Sequence, residues 1–333
     1  MAELSYLPRF LYYQWFLTPA YPTQSFEGKT IVVTGANTGL GFEAAKHFVR
    51  LGAEKVIIAV RTVSKGEEAK RQLEEATRRT GVVEVWQLDL SSYNSVQAFA
   101  AKATSELKRI DVLLENAGIN TQKFARTEGN ESTITTNVIS TMLLALLLLP
   151  KLRETADTFS TRPHLTIVSS EVHFFSDLPE RKDPSGSIFA TLADESKFSA
   201  TGRYPTSKLV LVMAIQRLVE EQRLKNKGAS DGVIINHVNP GLCRSELARD
   251  APGFAITLVN LIFGARTTEV GSRTLVDAAS FGPESHGQYL GNSRIERHAK
   301  FLDSEEGKKT SRRVWDELKE ILEGVKPGVV QNV

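Results

Sequence analysis

Two residues near the middle of the chain could together move a proton. Tyr204 and Lys208, in the run Tyr204-Pro-Thr-Ser-Lys208, begin a helix-like segment that continues to Leu224. A spacing of four residues places both side chains on one face of a helix. A phenol with a pKa of about 10 is a weak acid at neutral pH, but an adjacent ammonium favours the phenolate and lowers that pKa. The pair indicates general acid–base chemistry, although the same spacing also occurs in helices where it forms only a surface pair.

A glycine-rich turn near the N-terminus could hold a dinucleotide. The run Thr34-Gly-Ala-Asn-Thr-Gly-Leu-Gly41 follows a strand-like segment and opens a helix-like one. Glycine allows a tight turn and a close approach of the backbone to a pyrophosphate, and the helix N-terminus presents free N–H groups to it. Glycines also collect in ordinary turns, so the position after the first strand carries the argument. The expected contacts are Gly35, Asn37, Thr38, Gly39, Leu40 and Gly41.

The end of the second strand-like segment bears on the choice of dinucleotide. This segment ends Ile58-Ala-Val-Arg61, without the acidic residue that holds the ribose hydroxyls in NAD-binding proteins. A guanidinium can bind a 2′-phosphate through two hydrogen bonds, and Lys65 lies nearby. We therefore expect Arg61 and Lys65 to favour NADP over NAD. The alternative is that Arg61 is an ordinary solvated residue at a strand end.

The elements that must position these residues alternate between strands and helices. The predicted strands are Thr30–Thr34, Val56–Val60, Val82–Leu88, Asp111–Leu114, Leu165–Ser169, Gly232–Val238 and Gln288–Leu290. The predicted helices are Gly41–Leu51, Lys65–Arg79, Ser92–Leu107, Glu131–Leu152, Tyr204–Leu224, Thr267–Ser280 and Glu305–Leu322. Such alternation predicts parallel pairing with right-handed crossovers, and continuously apolar strands are typical of a sheet covered on both faces. The sequence predicts an α/β fold, a single domain with a doubly wound, Rossmann-like parallel sheet.

The chain is longer than this alternation requires. We expect residues 1–28 to form an N-terminal arm and residues 29–333 to form the domain. Two insertions, residues 171–203 and 244–266, interrupt the alternation. Because unstructured loops of this length are usually functional lids or disordered segments, both insertions are expected to be lids over the site.

The N-terminal arm raises the question of a membrane. It is aromatic, but Pro8, Arg9 and Pro19 interrupt it, and it fits neither a signal peptide nor a membrane span. Packing on the domain or on another subunit is favoured over a weak interfacial anchor, which would make the protein peripheral to a membrane. The apolar run Met142–Leu149 is too short to span a bilayer and indicates a buried or interface helix.

The composition excludes several classes of protein. Among 333 residues there are 41 Lys and Arg against 39 Asp and Glu, a net charge of +2 that offers no field for nucleic acid phosphates. Cys243 is the one cysteine, so no internal disulfide can form and a cytoplasmic location is expected. The 6 histidines show no metal-ligand spacing, and no metal site is predicted.

From Lys29 to about Tyr289 the chain resembles the short-chain dehydrogenase/reductase family. Each matching motif is weak alone, but together they occur in the family's order: Thr34–Gly41, Asp89-Leu90, Asn116-Ala117-Gly118, Asn137, Ser169-Ser170, Tyr204 with Lys208, and Asn239-Pro240-Gly241. The run Lys65-Gly66-Glu67 and the long gap before Tyr204 are most similar to the retinol-dehydrogenase-like branch. The chain is also similar to fungal secondary-metabolite reductases.

This resemblance implies four catalytic residues. Tyr204 would donate a proton to a carbonyl oxygen or accept one from an alcohol, and Ser170 would polarise that oxygen. Lys208 would bind the nicotinamide ribose and lower the pKa of Tyr204. Asn137 would hold a water molecule in a proton relay to Lys208.

The resemblance also implies contacts to the rest of the cofactor. Asp89, with Leu90, would meet the adenine. The backbone around Asn116, Ala117 and Gly118 would meet the adenosine ribose. The nicotinamide carboxamide would be oriented by Pro240, Gly241 and Ser245.

The chain departs from the family pattern at two points. Glu115 replaces the asparagine that commonly precedes Asn116-Ala-Gly, and its carboxylate must find partners or face solvent. Ser170 and Tyr204 are 34 positions apart (204 − 170), longer than the usual gap. The first insertion accounts for the excess and leaves the catalytic group intact only if it loops outward.

Together these features predict an NADP(H)-dependent carbonyl reductase or alcohol dehydrogenase for a lipophilic small molecule. Two alternatives stay open: the same scaffold used for dehydration, epimerisation or cyclisation, and a non-catalytic NADP-binding regulatory protein. A homodimer could pair through the Glu131–Leu152 and Tyr204–Leu224 helices, whereas the arm or the Phe254–Phe263 segment would favour a monomer.

Overall fold

A twisted parallel sheet forms the centre of the protein. The computed structural model describes residues 3–183, 186–225, 232–244, 247 and 260–333. Within these residues the central sheet has eight strands, β1 Thr30–Thr34, β2 Lys55–Val60, β3 Val83–Gln87, β4 Val112–Glu115, β5 His164–Val168, β6 Ile234–Asn239, β7 Tyr289–Gly291 and β8 Arg294–Glu296. Their order is β8-β7-β6-β5-β4-β1-β2-β3, and of these strands β8 alone is antiparallel to its neighbour. The predicted doubly wound α/β fold is confirmed.

Helices cover both faces of this sheet. They are α1 Leu7–Phe16, α2 Gly39–Arg50, α3 Val63–Thr77, α4 Tyr93–Glu106, α5 Ser132–Phe159, α6 Ile188–Leu192, α7 Arg203–Lys225, α8 Thr268–Ala278 and α9 Glu305–Val325. Side chains alternate between the faces of β1: Ile31 and Val33 join the core under α2 and α8, and Val32 joins the core under α4, α5 and α7. Because both faces are buried, the strands are apolar throughout.

Helix α5 runs farther than its sequence pattern predicted. It continues through Pro150 to Phe159, beyond the expected end at Leu152, and Thr135–Ser140 forms a π-helical turn inside it. Among the described residues it is the one helix long and apolar enough to cross a membrane, but 94% of its apolar window is buried inside the protein. Met142–Leu149 is therefore part of a core helix.

The first insertion packs against the domain instead of covering the site as a lid. Ile188, Phe189 and Leu192 of α6 are buried in the core beneath α9. The Glu317 carboxylate on α9 accepts hydrogen bonds from the backbone N–H groups of Ile188 at 3.0 Å and Phe189 at 2.9 Å. This part of the insertion packs in the core because its apolar residues find partners on the C-terminal helix. Most of the second insertion lies outside the described residues.

The N-terminal arm folds onto the domain. Helix α1 buries Phe10, Tyr13 and Gln14, while Tyr6 just before it stacks on Phe174 with ring centroids 3.9 Å apart. Its outer face carries exposed aromatic side chains, with Phe16 the most exposed at 78%.

Candidate active site

The predicted catalytic residues meet at the carboxyl ends of the central strands. Ser170 follows β5, and Tyr204 and Lys208 lie in the first turns of α7. Asn137 belongs to the π-helical turn of α5, an irregularity that is often found at functional sites. Ligands of open α/β sheets bind at these strand ends. The structure brings all four residues together there.

Ser170, and not its neighbour, faces the tyrosine. The Ser170 hydroxyl is close enough to the Tyr204 phenol to lower its pKa, and it accepts from the Val172 N–H at 3.3 Å. The Ser169 hydroxyl is buried and donates to the Val238 carbonyl at 3.3 Å, so it is occupied within the sheet. Burial raises the pKa of Tyr204 to about 12, the hydrogen bond from Ser170 opposes this rise, and the nearby Glu171 carboxylate adds to it.

Lys208 lies near the Tyr204 ring, but its side chain is bonded to a backbone carbonyl. Its Nζ is 5.8 Å from the centroid of the Tyr204 ring and donates to the Val168 carbonyl at 2.8 Å. Burial lowers the pKa of Lys208 to about 8. Here the lysine is bonded to a backbone carbonyl, and burial is the largest cause of the raised pKa at the phenol.

Asn137 ties the loop after β4 to α7. Its Oδ1 accepts from the Ile119 N–H at 2.8 Å, and its Nδ2 donates to the Ile119 carbonyl at 2.9 Å and to Ser207 Oγ at 3.1 Å. A Cβ at Gly118 would lie 3.1 Å from Asn137 Oδ1 and 3.9 Å from Lys208 Nζ. Glycine at position 118 therefore lets the loop approach both side chains.

The glycine-rich turn has the form that a pyrophosphate requires. Gly35 and Gly39 adopt positive φ angles of 66° and 63°, which glycine tolerates without strain. Thr38 precedes α2 and makes no side-chain cap, so the first N–H groups of the helix stay available to an anion. A Cβ at Gly41 would lie 2.5 Å from Asn116 Nδ2. Leu40 and Asn37, also in the turn, are half-buried.

The start of the Asn116-Ala-Gly run is bonded to this turn. The Thr34 hydroxyl accepts from the N–H groups of Asn116 and Ala117, both at 2.9 Å. Asn116 Nδ2 donates to the Thr34 carbonyl at 2.9 Å. The ends of β1 and β4 thus form one surface beside the turn.

Two cations stand at the far side of the same edge. Arg61 follows β2 and Lys65 lies in the first turn of α3, and both are exposed. Within the described part of the chain neither forms an ion pair. At the end of β3, Asp89 accepts from the Ser91 N–H at 2.9 Å, and Leu90 is buried.

The loop after β6 closes the other side. Gly241 has a φ of 78°, and its N–H donates to Asn239 Oδ1 at 3.0 Å. Pro240 lies between these two residues, and Cys243 packs against Gly271, with burial raising the pKa of its thiol to about 12. Ser245, the last of the predicted cofactor contacts, lies outside the described residues.

Glu115 neither pairs nor faces solvent. It ends β4 at the centre of the sheet, is buried, and both carboxylate oxygens lack a hydrogen-bond partner. Burial raises the pKa of Glu115 well above its ordinary value. Burial favours the neutral, protonated form of this carboxyl group, because a buried unpaired charge is costly. The sequence analysis did not consider this outcome.

Three residues around the site were missed by the sequence analysis. Glu171 follows Ser170, is buried, and accepts from Asn239 Nδ2 at 3.2 Å; burial raises its pKa to about 7. Gln14 and Arg266 contact the loop after β6. For Glu171 the sequence offered one signal, a charged residue directly after Ser170. For Gln14 it offered none, because its contacts join residues more than two hundred positions apart.

Comparison with known proteins agrees with this geometry. The family described as short chain dehydrogenase matches residues 29–158. The short chain dehydrogenase/reductase dmxR8 of Cryptosporiopsis sp. is 49% identical over 326 residues, 97% of this chain and 99% of that protein. The chain belongs to the short-chain dehydrogenase/reductase family. The short-chain dehydrogenase anuD of Penicillium roqueforti is 41% identical over 325 residues, 96% of this chain and 84% of that protein.

Solved structures of short-chain dehydrogenases share the fold. The RhlG/NADP active-site complex of Pseudomonas aeruginosa has a TM-score of 0.61 at 20% identity, covering 82% of this chain and 97% of that one. A short chain dehydrogenase of Shigella flexneri complexed with NADP has a TM-score of 0.57 at 22% identity, covering 82% and 100%. As a member of the short-chain dehydrogenase/reductase family, the protein is an oxidoreductase.

Proposed function

We propose that this short-chain dehydrogenase/reductase is an NADP(H)-dependent carbonyl reductase or alcohol dehydrogenase. The observation that carries the proposal is the meeting of Ser170, Tyr204 and Lys208 at the carboxyl ends of the strands, with Lys208 Nζ 5.8 Å from the centroid of the phenol ring. A proton donor paired with a second hydroxyl suits a carbonyl oxygen that gains negative charge as it is reduced. Its fungal relatives favour a role in secondary metabolism.

The residues present fit a dinucleotide phosphate. The uncapped start of α2 and the positive-φ glycines at 35 and 39 leave backbone N–H groups for the pyrophosphate. Arg61 and Lys65 are exposed cations where a 2′-phosphate would lie. The Shigella and Pseudomonas proteins of the same fold were solved with NADP. The chemistry that bound NADPH supplies is the transfer of a hydride.

The polar groups of the chain handle the proton and the charge on the substrate. Tyr204 gives its phenolic proton to the substrate oxygen, and Ser170 donates a hydrogen bond to the same oxygen. Lys208 binds the nicotinamide ribose and stabilises the phenolate that remains. Asn137 holds the water molecule through which Tyr204 and Lys208 regain a proton.

The proton state of Tyr204 favours reduction. A phenol with a pKa raised to about 12 keeps its proton at neutral pH, so it enters the reaction as an acid. Oxidation of an alcohol needs the phenolate, which this environment disfavours until Lys208 turns toward the phenol. The protonated phenol is the form that donates to the oxygen of a carbonyl substrate.

Aromatic residues next to Tyr204 support a lipophilic substrate. Phe124 and Phe198 meet edge to face, with ring centroids 5.7 Å apart, and the Arg203 guanidinium lies 5.6 Å from the Phe198 ring. Arg203 directly precedes Tyr204, so this pair lies near the start of α7, the helix that carries Tyr204 in its first turn. Half-buried aromatic rings bind apolar ligands through area and shape.

Two other functions remain as alternatives on the same scaffold. Dehydration, epimerisation or cyclisation would use Tyr204 without net consumption of NADPH. A regulatory NADP-binding protein would bind the dinucleotide and turn nothing over. Measuring moles of NADPH oxidised per mole of product, with a panel of ketones and aldehydes, separates these alternatives from carbonyl reduction. We further place the protein in the cytoplasm, because its single cysteine permits no internal disulfide.

The choice of cofactor is tested by Arg61→Ala. Loss of a charge-assisted contact to the 2′-phosphate should weaken NADPH binding by about 10- to 100-fold. NADH lacks that phosphate and is the control: its Kd for the variant should stay within about twofold of the wild-type value. Both constants can be measured by fluorescence titration of the purified protein. Equal losses for the two cofactors would remove Arg61 from the phosphate site.

A further inference from the structure

We propose that α1 is part of the cofactor site, where Gln14 and Arg266 act as positioning residues for the loop from Pro240 to Leu242. This inference rests on the proposed function, because that loop follows β6 at the place expected for the nicotinamide end of NADPH. The arm would then shape the binding site from a segment far away in sequence.

Gln14 binds the loop in both directions. Its Nε2 donates to the Leu242 carbonyl at 2.9 Å, and its Oε1 accepts from the Leu242 N–H at 3.3 Å. The same Nε2 lies 3.4 Å from the Gly264 carbonyl. Gln14 is only 8% exposed, so water competes poorly for these bonds. A paired amide of this kind fixes the loop backbone as a neighbouring strand would.

Arg266 joins the arm to the same loop. One Nη donates to the Pro240 carbonyl at 3.3 Å, and the other donates to the carbonyls of Tyr13 at 3.0 Å and Leu17 at 2.9 Å. Among the described residues no carboxylate lies within ion-pair distance of Arg266, which is 7% exposed. A buried guanidinium is costly unless its donors are used. Here both Nη groups are used, on backbone carbonyls of the arm and the loop and on Asn292 Oδ1 at 2.6 Å, whereas Nε has no partner.

Gly241 is enclosed by these two side chains. A Cβ at Gly241 would lie 2.6 Å from Gln14 Oε1 and 2.9 Å from an Arg266 Nη. Its positive φ of 78° already favours glycine. The loop therefore takes its shape from both its own backbone and the side chains packed behind it.

The arm also contacts the other edge of the site. Tyr6 stacks on Phe174, and the Glu3 N–H donates to the Phe174 carbonyl at 2.8 Å, four residues beyond Ser170. One segment therefore contacts both the chain that follows Ser170 and the loop that follows β6. Such a bridge fixes the spacing between the proton-transfer residues and the expected nicotinamide position, which suits a reaction that depends on orientation.

The test is a comparison of two ligands in the full-length protein. Adenosine 2′,5′-bisphosphate occupies only the adenosine end, whereas NADPH also requires the nicotinamide end. Gln14→Met keeps the packing volume and removes the amide, and Gln14→Ala removes both. Phe16→Ala, on the exposed side of the same helix, is the matched control. Each Kd is measured by titration, with thermal melting as a check of folding.

Gln14→Met should raise the Kd for NADPH by about tenfold and leave that for the bisphosphate within about twofold. Phe16→Ala should change neither constant. A general loss of stability would weaken both ligands together, so equal weakening, or no change with either ligand, would overturn the inference. If the wild-type protein binds neither ligand, the proposed function itself fails and this inference fails with it.

Discussion

At the scale of single residues, burial sets the proton states around the site. Tyr204 has its pKa raised to about 12 and Lys208 has its pKa lowered to about 8, and in both cases burial is the largest cause. Both shifts favour the neutral form of the side chain. The chain alone thus holds a protonated phenol, while the Lys208 ammonium donates to the Val168 carbonyl.

Glu115 should make the fold less stable as the pH rises. Its pKa is raised in the folded state, so above pH 4.5 the unfolded chain loses a proton that the folded chain keeps. The unfolded state then binds fewer protons, and the free energy of unfolding falls with increasing pH. Glu115→Gln removes this penalty and should stabilise the protein at pH 7, with a smaller gain near pH 5.

Urea denaturation at several pH values measures this effect. Glu54→Gln, at an exposed glutamate before β2, is the control and should show no such pH dependence. A gain at position 115 that is the same at every pH would contradict a buried, protonated carboxyl group.

At the scale of elements, the first insertion is held by α9. The Glu317 carboxylate accepts from Ser187 Oγ at 3.1 Å as well as from the backbone N–H groups of Ile188 and Phe189. It therefore caps the start of α6 together with Ser187, whose Oγ accepts from the Ala190 N–H at 3.2 Å. These contacts hold α6 against α9.

Glu317→Ala should loosen the insertion without changing the site. Loss of one acceptor leaves three donors without a partner and should lower the free energy of unfolding by about 1–3 kcal/mol. NADPH affinity measured well below the melting temperature should be unchanged. Glu320→Ala, at an exposed position on the same helix, is the control. A midpoint in urea equal to that of the control would show that the cap contributes nothing.

Much of the fold could be predicted from local pattern. The strands are short apolar runs between turn residues, and each glycine of the Thr34–Gly41 run meets a local demand of the backbone. The motif residues Tyr204, Ser170 and Asn137 could be placed together because the chain resembles the short-chain dehydrogenase/reductase family.

The features that the sequence did not predict depend mostly on contacts between residues far apart in the chain. The turn into β8 uses Asn292 and Ser293 at positive φ, an unusual conformation for these residues that no pattern signalled. The packing of the insertion's α6 under α9 could not be predicted, because α9 lies more than one hundred residues further along the chain. The path of the arm onto Leu242 likewise depends on packing that a local reading of the sequence cannot supply.

At the scale of the whole molecule, the C-terminus covers the helices through which a homodimer was considered. Trp315 Nε1 on α9 donates to Glu221 Oε2 on α7 at 2.6 Å. Asn332 Nδ2 donates to the Leu146 carbonyl of α5 at 3.0 Å, and an Arg153 Nη donates to the Asn332 carbonyl. The C-terminal segment of the same chain therefore occupies part of the surface of both helices.

The protein should accordingly be a monomer. Light scattering coupled to size-exclusion chromatography should give a mass of 36.8 kDa over a wide range of concentration. A stable species of twice that mass, cross-linked between α5 or α7 of two copies, would show that α9 can be displaced. Dimerisation through another surface would leave these helices covered and can be recognised by the absence of such cross-links.

The central claim, that Tyr204 donates the proton in an NADPH-dependent carbonyl reduction, is tested by Tyr204→Phe. The measurement is NADPH consumption by the purified wild-type and variant proteins with a panel of lipophilic ketones and aldehydes, together with NADPH affinity. Removal of one hydroxyl should lower turnover by at least about 100-fold, while the Kd for NADPH stays within about twofold. A variant that consumes NADPH at the wild-type rate, or a wild-type protein that reduces no carbonyl of the panel, would contradict the account.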